Sequence, residues 1–344
     1  LSSTLIVGPS WVGDMIMAQT LFKRLKSQKP DQRIDVLAPK ASLPMVSRMA
    51  EVSEMFEFDV GHGELGLAYR RLVARKLSKR GYERAIVLPN SLKSALVPFF
   101  AGIPTRTGFR GEYRYGLIND MHLLDKRRMP RMIDRFAALS SVDSFENKPP
   151  VVSEYPKLKI DFGQQECLLD QFNLRTKRPV VGICPGAEFG EAKRWPERHY
   201  AVLASELVKK GADVWIFGGN ADKPSGQVIV DFAPAAARNH ITDLTGKTSL
   251  IDVVDIMGRC ACVISNDSGL MHVSAAIGCH TVVLYGSTSA DFTPPLTEQV
   301  DIVNLSLDCS PCFKRTCPLG HMDCLNNLSP AQVLARVTPV IEVS

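Results

Sequence analysis

The residues most able to do chemistry stand at the start of a helix-forming stretch. In VISNDSGLMHVSAAIGCHTVVL (Val263 to Leu284), Asp267, Ser268 and Gly269 follow a short apolar strand and open a helix near Ser268. The unbonded N–H groups and positive dipole end of such a start attract an anion, a phosphate above all. His272, one turn further on, can face the same way and donate to a phosphate oxygen. On these residues alone, a capped crossover helix with a satisfied interior histidine remains the competing reading.

Further loops carry similar residue types. In CPGAEFGEAKRWP (Cys184 to Pro196), Lys193 can neutralise a diphosphate and Glu188 can bond a sugar hydroxyl. FGGNAD places Asp222 where a ribose carboxylate is wanted, and the backbone of LTGKT, Leu244 to Gly246, can line a base. Near the start, GPSWVGDM brings Gly13 and Asp14 to another strand-to-helix junction. A helix N-terminus favours the ionised carboxylate, which suits a general base, while a plain first-turn acid is the ordinary alternative. Gly8 and Gly13 do not give G-x-G-x-x-G, and no G-x-x-x-x-G-K-S/T occurs, which disfavours dehydrogenase and P-loop readings. No Asp-x-Asp pair occurs, so helix dipole, Lys193 and His272 are expected to carry the diphosphate charge, with no metal cofactor required.

The elements that must hold these loops alternate. Strands are expected at Thr4 to Gly8, Arg33 to Leu37, Glu54 to Phe58 and Arg84 to Leu88, with helices at Asp14 to Gln28, Ser42 to Met49, Leu65 to Lys79 and Ser91 to Ala101. A polar, proline-bearing stretch, Ser144 to Lys157, then interrupts, and the pattern restarts at Pro179. The predicted fold class is α/β: two Rossmann-like parallel-sheet domains facing a central cleft, residues 1–150 and 179–328. A linker region with a leading helix (151–178) joins them, and a closing helix (329–344) is expected to pack back on the first domain. The singled-out loops all fall at carboxyl ends of strands, where such sheets bind ligands.

Residues 1–160 hold 26 Lys and Arg against 16 Asp and Glu, a net +10, whereas residues 161–344 hold 15 against 20, a net −5. A basic first half suits an anionic partner, with a solvated face as the alternative for Arg70, Arg71, Arg75, Lys76, Lys79 and Arg80. Nucleic acid is disfavoured because stacking aromatics are not interleaved with these charges. The most apolar piece, Ser94 to Pro104, is about half of the ~20 residues that cross a bilayer. The start does not read as a secretory leader, so a cytoplasmic location is expected. Of nine cysteines, Cys167, Cys184, Cys260, Cys262 and Cys279 lie in or beside apolar segments and read as small hydrophobes. Cys309, Cys312, Cys317 and Cys324, with His321 among them, have a spacing compatible with a structural Zn²⁺ or with free or reversibly oxidised thiols.

GPSWVGDM, the stretch Asn90 to Asp120, CPGAEFGEAKRWP, NDSGLMHVSAAI and YGSTSADFTPPL together resemble glycosyltransferase family 9, the ADP-heptose heptosyltransferases, across nearly the whole chain. Within the family the resemblance favours the enzymes that add the second heptose. It implies a GT-B fold and inverting transfer of L-glycero-D-manno-heptose from ADP-heptose to the first heptose of the Kdo2-lipid A inner core. Asp14 would be the base, and Lys193, Ser268, Gly269 and His272, with Asp267 and Glu188 beside them, the donor diphosphate site. Asp222, Leu244 and Gly246 would hold the nucleoside. Gly13, Lys93, Arg106, Arg110 and Arg114 are the candidates for the acceptor, heptosyl-Kdo2-lipid A, and Arg127, Arg128 and Arg131 for contact with the cytoplasmic face of the inner membrane. A sibling transferase with another acceptor, and a non-catalytic nucleotide-sugar-binding protein, are the alternatives.

Overall fold

The computed structural model describes residues 2–61, 64–141, 154–174 and 177–343. Most of the expected Ser144 to Lys157 connection lies outside the described residues. The chain divides into two compact units, Leu1–Pro156 and Lys157–Ser344.

In the first unit the elements run β1 (Ser3–Val7), α1 (Val12–Gln28), β2 (Arg33–Ala38), α2 (Leu43–Val46), β3 (Glu54–Glu57), α3 (Leu67–Leu77), β4 (Arg84–Val87), α4 (Leu96–Phe100), β5 (Thr105–Phe109), β6 (Asp120–His122) and α5 (Met132–Ala138). The six strands form one parallel sheet in the order β3-β2-β1-β4-β5-β6. β1 is buried along its whole length, as a central strand covered on both faces must be. The single helix expected over Ser91 to Ala101 is broken: Leu92–Ala95 is a tighter 3-10 turn and α4 begins after it. Pro98 is the reason, since it has no N–H to donate to the carbonyl of Ser94 and its ring crowds that carbonyl. β5 and β6 are additions to the expected pattern; both are short, and their polar sequences carry no run of apolar residues.

The second unit runs α6 (Phe162–Gln171), β7 (Val180–Cys184), α7 (Glu197–Lys209), β8 (Asp213–Ile216), α8 (Lys223–Phe232), α9 (Ala235–Arg238), β9 (Ile241–Asp243), α10 (Leu250–Met257), β10 (Cys262–Asn266), α11 (Gly269–Ile277), β11 (His280–Leu284), β12 (Val300–Val303), α12 (Asp323–Asn326) and α13 (Pro330–Val343). Its parallel sheet has the order β12-β11-β10-β7-β8-β9, the same topology as the first when strands are counted from β7. Strand order therefore reverses between β1 and β4 in one unit and between β7 and β10 in the other, where a crevice opens beyond the carboxyl ends. The closing helix α13 buries Val333, Val337 and Ile341 in the core of its own unit, with Leu325 and Leu328. Its apolar stripe is thus engaged on the second sheet.

Cys184, Cys260, Cys262 and Cys279 are buried, whereas Cys167 on α6 is exposed, against expectation: α6 buries Gln165, Leu168 and Leu169, and Cys167 falls outside that stripe. Among the described residues no helix is long and apolar enough to cross a membrane.

Candidate functional site

Asn266, the last residue of β10, holds the second unit's loops together. Its buried side chain accepts from the Trp195 N–H and the Tyr200 hydroxyl, both at 3.1 Å, and donates to the Pro185 carbonyl at 2.7 Å. The loop leaving β7 is thereby stitched to the end of β10, and Lys193 and Asp267 each stand close to a stitched residue. Lys193 Nζ lies 2.6 Å from Asp267 Oδ2, with side-chain exposures of only 13% and 4%. Thr288 Oγ1 donates to the same oxygen at 2.6 Å, and Thr293 Oγ1 lies 3.5 Å from Asp267 Oδ1. The ammonium also sits 4.8 Å above the Phe189 ring. This is a desolvated cation, held by a carboxylate that has other donors and beside a helix start.

That start is α11. Ser268 precedes it in extended conformation, and its hydroxyl lies 3.2 Å from Ser265 Oγ without capping the helix, so the first-turn N–H groups from Gly269 onward have no side-chain acceptor from Ser268. His272 is buried one turn in, and burial pushes its imidazolium down to about 4; Asp267 opposes the shift and Lys193 adds to it. At neutral pH His272 is an uncharged ring that still offers one N–H donor. Glu188 is exposed in the β7 exit loop.

The nucleoside candidates follow β8 and β9. Asp222 accepts the Gly219 N–H at 2.9 Å and lies 3.7 Å from the Arg194 guanidinium. Its carboxylate abuts Gly186 so closely that a Cβ there would lie 2.5 Å from Oδ1, which explains the glycine. Gly246 has φ +62, and its N–H donates to the Gly218 carbonyl at 2.9 Å. Leu244 has a buried side chain, and its N–H donates to the Ile216 carbonyl at 3.0 Å while its carbonyl accepts from Lys247 at 3.1 Å, so its backbone groups hold the turn.

In the first unit Gly13 and Asp14 occupy the first turn of α1, directly beyond β1, with Gly13 buried and Asp14 half-buried. Lys93 lies beyond the adjacent strand β4, and Arg110 is exposed immediately after β5. Arg114 and Arg106 are corrections. Arg114 is 1% exposed and donates to the carbonyls of Pro89 and Phe109, both at 2.6 Å, and to Asn90 Oδ1 at 3.1 Å. Burial lowers its guanidinium to about 10, so it stays charged while bracing the β4 exit loop. Arg106 lies at the amino end of β5, opposite the ligand edge, and donates to the carbonyls of Leu117, Ile103 and Gly116. Arg131 makes a two-point pair with Asp134 at 2.9 and 2.8 Å, and Asp125 accepts the Arg127 and Arg128 N–H groups at 2.9 and 3.3 Å.

The cysteine-rich segment backs the donor loops. Phe313 N–H donates to the Ser287 carbonyl at 2.7 Å, Ser310 Oγ donates to the Gly286 carbonyl, and Ala192 N–H donates to the Arg315 carbonyl at 3.1 Å. Cys309, Cys312, Cys317 and Cys324 line one cavity of about 20 Å³ with His321, Leu319 and Met322. They are free thiols, and among the described residues no group of three or more His, Cys, Asp or Glu is placed to hold a metal ion. The structural Zn²⁺ expectation finds no support there; His321 Nδ1 accepts the Asp323 N–H at 2.9 Å, and backbone N–H groups of Met322, Leu319, Gly320 and His321 surround Cys317 and lower its pKa.

Thr288, Thr293 and Asn266 were not singled out for a role by residue type. The signal available was position: Asn266 ends one strand and Thr288 follows the next, at the edge where ligands bind.

A double Rossmann-like chain with a desolvated lysine beside a helix start at the edge of its second sheet has the features of a nucleotide-sugar glycosyltransferase. The family model for glycosyltransferase family 9 (heptosyltransferase) matches residues 70–323, and the chain belongs to that family. It is 42% identical to lipopolysaccharide heptosyltransferase 2 of Escherichia coli over 340 residues, 98% of each chain. It is 44% identical to lipooligosaccharide heptosyltransferase 2 of Haemophilus influenzae over 306 residues, 88% of each. The solved structure of E. coli ADP-heptose LPS heptosyltransferase II superposes with a TM-score of 0.90 at 39% identity, covering 100% of this chain and 99% of that one.

Proposed function

We propose that the chain is the inverting transferase that moves L-glycero-D-manno-heptose from ADP-heptose to the first heptose of the Kdo2-lipid A inner core. The observation that carries this is the Lys193–Asp267 pair beside the α11 N-terminus, at the point where the second sheet's strand order reverses.

The donor's diphosphate takes the N–H groups at Ser268 and Gly269, the Lys193 ammonium and the neutral His272 N–H. These groups stabilise charge as it grows on the departing ADP. Lys193 can turn from Asp267 to the diphosphate because Asp267 keeps the Thr288 hydroxyl. Glu188 bonds a donor hydroxyl, Asp222 the ribose, and the turn at Gly246 the adenine. Asp14, in the first turn of α1, accepts the acceptor hydroxyl's proton as that oxygen attacks the anomeric carbon opposite ADP. The backbone at Gly13 lets the acceptor approach, while Lys93 and Arg110 meet its anionic groups. The protein works in the cytoplasm against the inner membrane, where the acceptor's lipid is anchored.

Acceptor profiling tests this reading. ADP release from ADP-heptose is expected with monoheptosylated Kdo2-lipid A and not with the unheptosylated form; the reverse preference would assign the chain to a sibling reaction. ADP binding without any turnover would favour a non-catalytic binder.

A further inference from the structure

Helix α3 presents an outward face that is basic and apolar together. The helix buries Arg70, Val73, Ala74 and Leu77, and leaves Leu72 52% exposed. Ala68, Leu72, Arg75 and Lys76 recur at helical spacing and share one stripe, and the exposed Lys79 follows in the 3-10 turn Ser78–Arg80. Among the described residues the side chains of Arg75, Lys76 and Lys79 have no ion-pair or hydrogen-bond partner. α4 flanks this helix: Arg71 stacks on Phe100 at 5.1 Å, and the neighbouring Phe99 is 43% exposed. A helix lying in a lipid interface combines these two features, with apolar groups at the acyl boundary and cations at anionic headgroups.

The other basic stretch is neutralised in part. Arg131 is neutralised by Asp134, and Arg128 lies 3.6 Å from Asp125.

We propose that the outer face of α3 is the surface by which this chain lies on an anionic lipid bilayer. The proposal rests on the reading that the acceptor is membrane-anchored and deepens it by naming the contact. The leucine enters the headgroup boundary, and the three free cations engage lipid phosphates.

The test is co-sedimentation of the full chain with phosphatidylcholine vesicles, with and without phosphatidylglycerol. The wild type is compared with the triple variant Arg75→Gln/Lys76→Gln/Lys79→Gln, with Leu72→Gln, and with Arg127→Gln/Arg128→Gln. Each cation at an anionic surface strengthens partition about fivefold, so the triple variant should bind phosphatidylglycerol vesicles on the order of a hundredfold more weakly. Leu72→Gln should weaken binding about tenfold. Arg127→Gln/Arg128→Gln should bind as the wild type does. Unchanged ADP affinity and melting temperature in the triple variant would assign its loss to the surface. If the wild type ignores anionic vesicles, the membrane reading itself falls. If the wild type binds and the triple variant binds equally well, this inference alone is overturned. It is overturned also if the α3 variants lose binding to duplex DNA while keeping vesicle binding.

Discussion

Replacing Lys193 by methionine removes an ammonium that lies 2.6 Å from Asp267 Oδ2 and leaves a carboxylate with 4% exposure. Breaking a buried pair from one side costs about 3–5 kcal/mol, because the remaining charge is stranded. Asp267 keeps the Thr288 hydroxyl at 2.6 Å, and the Lys193 end of the pair is not wholly sealed from water. The expected loss is therefore at or just below the lower end of that range, about 2–3 kcal/mol. Adding Asp267→Asn removes the stranded charge while the amide still accepts from Thr288, so the double variant should recover about 1–2 kcal/mol of that loss. Urea unfolding of the wild type, both single variants and the double variant measures the coupling. Titration calorimetry with ADP supplies a second readout: both variants lacking Lys193 should bind ADP at least tenfold more weakly, and restored stability should not restore affinity. A double variant no more stable than Lys193→Met, or ADP affinity unchanged without Lys193, would refute the reasoning.

Two further outcomes follow from the geometry. His272 has its imidazolium pushed down from 6.5 to about 4, so between these values the unfolded chain takes up a proton that the folded chain does not. Stability should fall as pH drops through that window, by about 2 kcal/mol between pH 7 and pH 5, and His272→Gln should remove that share of the pH dependence in urea midpoints. Arg114→Met strands the Pro89 and Phe109 carbonyls that the guanidinium satisfies. It should cost about 3 kcal/mol or more by thermal unfolding and raise the acceptor KM through a loosened β4 exit loop, whereas Arg110→Gln should leave stability within about 0.5 kcal/mol.

Both sheets were legible because their central strands are apolar runs punctuated by glycine-bearing loops, and each loop singled out does leave the carboxyl end of a strand. β5 and β6 were not legible, since Thr105–Phe109 and Asp120–His122 are short and carry polar residues at and next to the sheet edge. Residue type located Lys193, Asp267 and His272, but pairing across 74 residues between Lys193 and Asp267 is a tertiary fact that spacing cannot carry. Arginine illustrates the same limit. Arg106, Arg110 and Arg114 read alike in a basic stretch, yet only Arg110 is exposed, because carbonyls of their own loops capture the other two. The cysteine spacing suggested a metal, and the fold places backbone amides around Cys317.

The most direct test of the account is ADP release from ADP-heptose and monoheptosylated Kdo2-lipid A, measured for the wild type and Asp14→Ala. Turnover by the wild type, with a loss of about a hundredfold or more in kcat and unchanged ADP affinity in the variant, is the predicted result. Wild-type turnover that survives the substitution would remove Asp14 as the base, and no wild-type turnover with this acceptor would contradict the assigned reaction.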